Sequence, residues 1–156
     1  MDNKSILEDQ LASFKAKYPL TVGWRLRKNS RIVLEHLHND EVIKYAFYAQ
    51  KNNNPLDFTS TAIIAVTNKR LVIGRDRVVI GYFFDSITPD MFNDLKVKSG
   101  IIWGKIEIDT VKEFVVLSNI SKSALVEIER EVGSAMLEMR DTIQVERKNN
   151  KSVWFY

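Results

Sequence analysis

Residues 59–84 read TSTAIIAVTNKRLVIGRDRVVIGYFF, and this stretch decides the fold. Three apolar runs within it are rich in the β-branched and aromatic residues that favour strands. Short polar segments with the composition of tight turns separate these runs. Because connections this short join only antiparallel neighbours, the stretch predicts a three-stranded antiparallel meander. The predicted strands are 62–66, 71–73 and 78–84.

Four more segments have strand patterns outside the meander. One precedes it and three follow it, separated from it by a break that contains Pro89. The segment at 101–109 alternates most clearly, with Ile102, Gly104, Ile106 and Ile108 on one side. The sequence therefore predicts seven strands, in a group of four and a group of three. The four additional strands are 42–50, 91–98, 101–109 and 113–117.

Two helices are predicted before the first strand. Ser5–Lys17 has a capping box, Ser5 with Glu8, and an apolar stripe at helical spacing. Pro19 ends this helix because proline clashes with the preceding turn. A second, shorter helix is predicted from Asn29 or Ser30 to His38.

A long amphipathic helix follows the last strand. Ser121 or Ser123 is its predicted N-cap, and it is predicted to extend to Met139. Such a helix needs an apolar surface to cover, and an open end of the sheet would supply one. The apolar stripe comprises Leu125, Ile128, Val132, Ala135, Met136 and Met139.

The segment 141–156 has two interpretations. Ile143 extends the helical stripe, but two β-prone runs flank Lys148–Asn150, which has the composition of a hairpin turn. We favour an extended ending. The last residues are too apolar to be solvated alone, so we expect them to pack on this molecule or on another copy. The predicted partner-binding residues are Val153, Trp154, Phe155 and Tyr156.

The composition excludes several classes of protein. The 156 residues suit one domain, and the absence of cysteine excludes disulfides, thiolate metal sites and cysteine nucleophiles. Acidic residues are interspersed among the basic ones, so the net charge of +3 does not favour nucleic-acid binding. A polar N-terminus without a signal-peptide pattern, and no apolar run near the ~20 residues that span a bilayer, predict a cytoplasmic protein.

No stretch carries a recognisable catalytic motif. His36 and His38, the two histidines, lie two residues apart and face different sides of a helix. The chain contains no HExxH motif and no Gly-rich phosphate loop. We therefore predict no enzymatic activity, no catalytic residues, no metal and no cofactor, although the sequence leaves open a site assembled from distant residues.

Basic residues near an aromatic side chain form the candidate ligand site. Two arginines lie at the tip of a predicted hairpin, and three lysines share the outward face of neighbouring strands with a tryptophan. Such a cluster suits an anionic headgroup or a phosphate. The alternative is a solvated strand face whose lysines discourage aggregation. The candidate ligand-binding residues are Arg75, Arg77, Lys96, Lys98, Trp103 and Lys105.

Residues 65–73, AVTNKRLVI, resemble the strand–turn–strand signature of bacterial PH-like domains, especially the YokE-like group. Asp40–Val42, Gly100 and the strand Lys105–Thr110 are similar in spacing. The resemblance covers about 37–139 and implies a mainly β (α+β) fold, a seven-stranded bent antiparallel barrel or sandwich capped by a C-terminal helix. The predicted organisation is an N-terminal helical extension at 1–38 that packs on the domain, a PH-like domain at 39–140 and an extended tail at 141–156.

The resemblance implies a small, non-enzymatic binding domain of bacterial origin. Eukaryotic relatives bind phosphoinositides through basic residues on the first two strands and the loop between them. Here Lys44 and Lys51 are followed by an Asn-rich loop, so that pattern is not met. Within the signature, Arg70 is expected to pair with a nearby carboxylate. We interpret the protein as a module for protein–protein interaction or self-association into a homo-oligomer; the alternative is binding to a membrane surface or an anionic ligand.

Overall fold

The computed structural model describes residues 1–54 and 56–154, with side chains as far as Lys151. These residues form a seven-stranded antiparallel sheet with two helices before it and one after it, which confirms the predicted fold class. A 3-10 turn, Lys122–Ala124, leads into the last helix. The elements are α1 Asn3–Lys17, α2 Leu26–His36, β1 Ile43–Gln50, β2 Thr61–Thr67, β3 Leu71–Asp76, β4 Tyr82–Ile87, β5 Phe92–Ser99, β6 Trp103–Thr110, β7 Phe114–Ser121 and α3 Leu125–Trp154.

The strand order is β4-β3-β2-β1-β7-β6-β5, so the sheet has two halves that meet between β1 and β7. Within the halves the registers are long; β1 lies opposite β2 from Ile43 to Gln50. At the junction Gln50 lies opposite Ser118, and the two strands diverge from there. The first half is defined here as β1–β4 and the second half as β5–β7. The bend between them gives the sheet an inner and an outer face.

The inner face is filled by α3. Leu125, Ile128, Val132 and Met136 are all buried, as the amphipathic stripe predicts. In the second half, Gly104 lets α3 come close, because a Cβ there would lie 2.4 Å from Leu125 Cδ1. The hydroxyl of Tyr45 donates to Glu127 Oε2 at 2.9 Å, which fixes the start of α3 against β1.

The outer face of the first half is covered by α1 and α2. Tyr48 points away from Tyr45's side of β1, and its ring meets Phe14 of α1 edge-on at 5.4 Å. Phe14 also meets Phe47, on Tyr45's side, at 5.9 Å, so α1 reaches around the edge of β1. On β3, a Cβ at Gly74 would lie 2.7 Å from Val33 Cγ2 of α2. Helices therefore cover both faces of these strands. This is why 62–66 is continuously apolar instead of alternating.

The second half has helical cover on its inner face alone. Ile106 and Ile108 of β6 are buried inward, whereas Trp103 and Asp109 are exposed outward and Lys105 is half-buried. The alternation predicted at 101–109 is confirmed from Trp103 onward. Ile102, which was expected on the inward side, instead lies exposed in the turn before β6, so that assignment is wrong.

The third meander strand begins later than predicted. Residues 78–81 form a turn, in which the Arg77 N–H donates to the Gly81 carbonyl at 3.0 Å. Gly81 has a φ of 76°, a left-handed conformation that glycine adopts without strain. β3 extends to Asp76, and the next strand covers 82–87 instead of 78–84. The apolar run at 78–80 is therefore a hairpin tip.

Two helix starts also differ from the prediction. Asp2, not Ser5, caps α1, because Asp2 Oδ1 accepts a hydrogen bond from the Ser5 N–H at 2.8 Å. α2 begins at Leu26, directly after Arg25 in a left-handed conformation with a φ of 56°. That start has no side-chain cap, so the sequence contains no capping signal for it.

The extended ending predicted for 141–156 is wrong as far as Trp154, because α3 continues through this segment. Residues 141–151 contain no glycine or proline, and a helix that is already nucleated propagates readily through Glu, Arg, Lys and Gln. The side chains of Val153 and Trp154, and all of Phe155 and Tyr156, lie outside the described part. The predicted boundaries at residues 38 and 140 stay predictions. Among the described residues, no helix is long and apolar enough to cross a membrane.

Candidate interaction surfaces

The Arg70 side chain forms a structural ion pair. Its guanidinium lies 2.9 Å from Glu41 Oε1, and Glu41 is fully buried. The same guanidinium donates to the His36 carbonyl at 2.8 Å, so it joins the end of α2 to the β2–β3 turn. Burial alone would raise the pKa of Glu41, but hydrogen bonds from Arg70, the His38 N–H and the Thr67 hydroxyl hold it below its usual value. The expected pairing of Arg70 with a carboxylate is confirmed.

Both histidines have structural contacts. His36 Nδ1 lies 2.7 Å from the Ile32 carbonyl, and its ring stacks on Phe84 at a centroid distance of 4.2 Å. His38 is exposed and lies 3.4 Å from Glu41. Across the described ranges, no group of three or more His, Cys, Asp or Glu side chains is arranged to hold a metal ion.

Three candidate lysines lie together on the outer face of β5 and β6. Lys96 is opposite Glu107, and Lys98 is opposite Lys105. Glu107 Oε1 lies 2.8 Å from Lys98 Nζ and 3.7 Å from Lys105 Nζ. The hydrogen bond from Lys98, reinforced by the charges of the neighbouring lysines, lowers the pKa of Glu107. One carboxylate thus offsets part of the charge of three lysines.

Trp103 lies at one end of this lysine face. Its indole N–H donates to the Leu20 carbonyl at 2.7 Å, which fixes the ring beside the lysines. In the β5–β6 turn, Ile101 is 92% exposed and Ile102 50% exposed. We call Leu20, Ile101, Ile102 and Trp103 the apolar tip. An open groove of about 540 Å³ runs beside it, lined in part by Lys98, Lys105 and Asn53. Sequence reasoning missed the two isoleucines because it assigned them to a strand.

The two candidate arginines lie in the other half of the sheet. Arg75 is half-buried opposite Phe83, and Arg77 is exposed at the start of the β3–β4 turn. Three strands, β2, β1 and β7, separate β3 from β6 in the sheet order. The arginines are therefore on a different hairpin from the lysines and Trp103. A ligand-binding role for either group stays a prediction.

The last part of α3 is mostly exposed. Arg140 donates to the carbonyls of Pro89 and Phe92. After it, Ile143 is half-buried, and the other described side chains to Lys151 are exposed. We call residues 141–154 the arm. Fourteen helical residues are roughly 20 Å long.

A groove of about 870 Å³ lies between α1 and α2. Leu7 and Leu11 of α1 and Leu26 and Leu34 of α2 give it an apolar lining. Sequence reasoning missed this groove because it began α2 at Asn29 or Ser30, which left Leu26 and two basic residues outside the helix. The charged lining residues are Lys4, Glu8, Arg27, Lys28 and Arg31.

Comparison with known proteins gives one family match. A family model described as a bacterial PH domain matches residues 37–132. Among solved structures, the chain is similar to the pleckstrin homology domain from Shewanella amazonensis SB2B. That similarity has 15% identity and a TM-score of 0.43, and it covers 69% of this chain and 84% of the other. No curated protein matches the chain.

Proposed function

This chain belongs to the bacterial PH domain family, and from that premise we propose that it is a non-enzymatic module that binds another protein or a second copy of itself. The observation that carries the proposal is the arm, a stretch of helix continuous with the buried part of α3, in which the side chains described as far as Lys151 are exposed apart from Ile143. Isolated helices of this length are marginal in water. A helix held in place by its buried first half is preorganised for binding in a partner's groove.

Two other features support a binding role. The sheet order leaves β4 and β5 as edge strands, which offer backbone groups to an added strand. The apolar residues Val153, Trp154, Phe155 and Tyr156 follow in sequence at the end of the arm, and they stay our predicted partner-binding residues. The narrower YokE-like assignment and the cytoplasmic location are part of this proposal.

Removal of residues 144–156 tests the proposed function. Light scattering coupled to gel filtration, over a concentration series, should find the full chain associated and the shortened chain monomeric. If the partner is a different protein, affinity capture from the native cell should recover it with the full chain alone. Thermal unfolding of the shortened chain is the control for folding. A full chain that is monomeric and captures nothing, or a shortened chain that behaves identically, would contradict the proposal.

A second candidate function is binding to an anionic membrane surface. The observation that favours it is the apolar tip, where exposed Ile101 and Ile102 stand beside Lys98 and half-buried Lys105. Apolar side chains that enter the interface and lysines that attract anionic lipids act together in peripheral binding. Trp103 adds a ring suited to the headgroup region.

Vesicle flotation tests the membrane candidate. The protein is mixed with vesicles of phosphatidylcholine and phosphatidylserine at low and high salt, and binding should fall as salt rises. The double variant Ile101→Ser with Ile102→Ser should lose flotation. A matched control, Val111→Ser with Phe114→Ser, changes two exposed apolar residues at the other end of β6, outside both candidate basic groups, and should float like the wild type. If the wild type does not float, or if the two double variants float equally well, the apolar tip is not a membrane-binding surface.

A further inference from the structure

We infer that the groove between α1 and α2 receives the outer face of α3 from a second copy of this chain. The inference rests on the proposed function and names its partner. It is carried by two surfaces of one molecule that match in charge and in apolar spacing. We call them the basic groove and the acidic face.

The basic groove has an apolar floor and a cationic rim. Leu7 and Leu11 are buried, and Leu26 and Leu34 are half-buried, so α1 backs the floor and α2 supplies most of its accessible leucine surface. Four cations and one anion line the groove, which gives it a net positive charge. Part of the rim is already paired on its own helix, since Arg31 Nε lies 3.6 Å from Glu35 Oε1. The rim therefore favours an acidic, amphipathic occupant.

The acidic face is on the side of α3 that points away from the sheet. Leu137 is 62% exposed and Val145 is 57% exposed, and Asp141 lies midway between them at helical spacing. Exposed apolar side chains set among acids are the pattern that a helix presents to a basic, apolar groove. The residues that line this face are Ser134, Leu137, Glu138, Asp141, Thr142, Val145 and Glu146.

The apolar spacing of the two surfaces also agrees. Leu26 and Leu34 on α2 are eight residues apart, as are Leu137 and Val145 on α3. Eight helical residues correspond to about 12 Å along each axis. Two apolar side chains of α3 can therefore lie along the leucine floor while the acids meet the rim.

The occupant cannot be α3 of the same copy. Within one molecule, α3 is held on the inner face by buried Leu125, Ile128 and Val132, whereas the basic groove is on the outer face. The ion pair between Lys17 and Glu127 joins the last residue of α1 to the first turn of α3, at the opposite end of α1 from the groove. Only a second copy can bring the acidic face to the groove. Two reciprocal contacts close a dimer, and one-sided contacts give larger assemblies.

Charge reversal with crossed rescue tests the inference in the full chain. The groove variant is Arg27→Glu with Arg31→Glu, and the face variant is Glu138→Lys with Asp141→Lys. Sedimentation should show that each variant alone associates at least tenfold more weakly than the wild type. An equimolar mixture should form a complex containing both variants, because every contact in it pairs opposite charges again. The control, Asp94→Lys with Asp109→Lys, reverses two exposed acids on β5 and β6 and should associate like the wild type.

The outcomes separate this inference from the proposed function. If association depends on the arm but neither reversal changes it, the inference is wrong and the binding module stands. Thermal unfolding shows whether each variant is folded. If two folded variants form no complex when mixed, the proposed pairing of the basic groove with the acidic face is also wrong. If the full chain is monomeric at every concentration, the inference fails, and capture of a different protein then decides the proposed function. A mixed complex supports the inference, since misfolding of one variant does not produce it.

Discussion

The first and second halves of the sheet differ in how they are covered. α1 and α2 lie on the outer face of β1–β3, but the outer face of β5 and β6 is exposed. These helices, at 3–36, precede the family match at 37–132, so this cover comes from outside the matched region. Helices that pack on one face of a sheet bury the side chains of that face. The difference leads us to expect stability to be concentrated in the first half, whereas the second half keeps one sheet face exposed to solvent.

Polar contacts follow the same division. In the first half, Asn29 is buried, accepts from the Asp76 N–H at 2.8 Å and donates to the Thr61 carbonyl at 3.0 Å. In the second half, the lysine side chain of the Lys98–Glu107 pair is exposed to water. A buried group that loses its partner keeps its full desolvation penalty, whereas an exposed group is solvated again. Equivalent substitutions should therefore have unequal costs in the two halves.

The largest expected effect is that of Arg70→Ala, which leaves the buried carboxylate of Glu41 without its cation. We expect the free energy of unfolding to fall by about 3–5 kcal/mol. Lys98→Ala, the comparison in the second half, should cost about 0–1 kcal/mol. Urea unfolding measures both values.

A control within the first half separates burial from charge. Lys69 is the neighbour of Arg70, and its exposed amine lies 3.7 Å from exposed Asp40. Lys69→Ala should therefore cost no more than Lys98→Ala. If Arg70→Ala is as mild as these two, the covered half does not owe its stability to this buried pair.

Gly74→Ala is expected to have the next largest effect. The new Cβ would lie 2.7 Å from Val33 Cγ2 and 3.1 Å from the Val33 backbone nitrogen, so α2 must shift. Overpacking of this kind costs about 1–3 kcal/mol.

Gly133→Ala should have the opposite effect on stability, because it adds a methyl group in open space within α3 and gains about 0.5–1 kcal/mol of helix propensity. Thermal unfolding should show that Gly74→Ala lowers the stability of the protein and that Gly133→Ala raises it. A neutral Gly74→Ala would mean that α2 is loosely packed.

The sequence predicted the strands of the second half and the buried part of α3 well, because each of these elements is buried on one side. β6 alternates because one of its faces is apolar, and α3 has an apolar stripe for the same reason. An analysis of hydrophobic periodicity detects elements of this kind. In the covered half, the run at 62–66 was correctly predicted as a strand, and its lack of alternation reflects burial on both faces, but the run does not indicate which elements form the second layer. The run at 78–80 has the same composition and is a turn. Composition does not distinguish apolar residues that pack from apolar residues that are exposed.

The candidate surfaces were predicted unevenly for the same reason. The three lysines and Trp103 do lie together, because period-two alternation fixes which side chains share a strand face. The basic groove depends on the start of α2, which follows the left-handed Arg25 and has no capping signal. The acidic face depends on the continuation of α3 beyond Met139, where hairpin and helix patterns competed. The basic groove arises from packing between two helices, which local sequence does not encode, and the acidic face arises from a helix end that the local sequence left ambiguous.

The smallest expected effect is a difference in acid sensitivity between Glu41 and Glu107. Both carboxyls have a lowered pKa in the folded protein, so each contributes stability above its unfolded pKa of about 4.3 and loses it as the pH falls through the folded value. The stability gap between the wild type and Glu41→Gln should therefore shrink from pH 6 to pH 3. For Glu107→Gln the gap should be smaller throughout and should disappear in high salt, which screens exposed lysines. Urea titrations at several pH values measure both gaps. Equal gaps would mean that covering the first half does not strengthen its charge pairs.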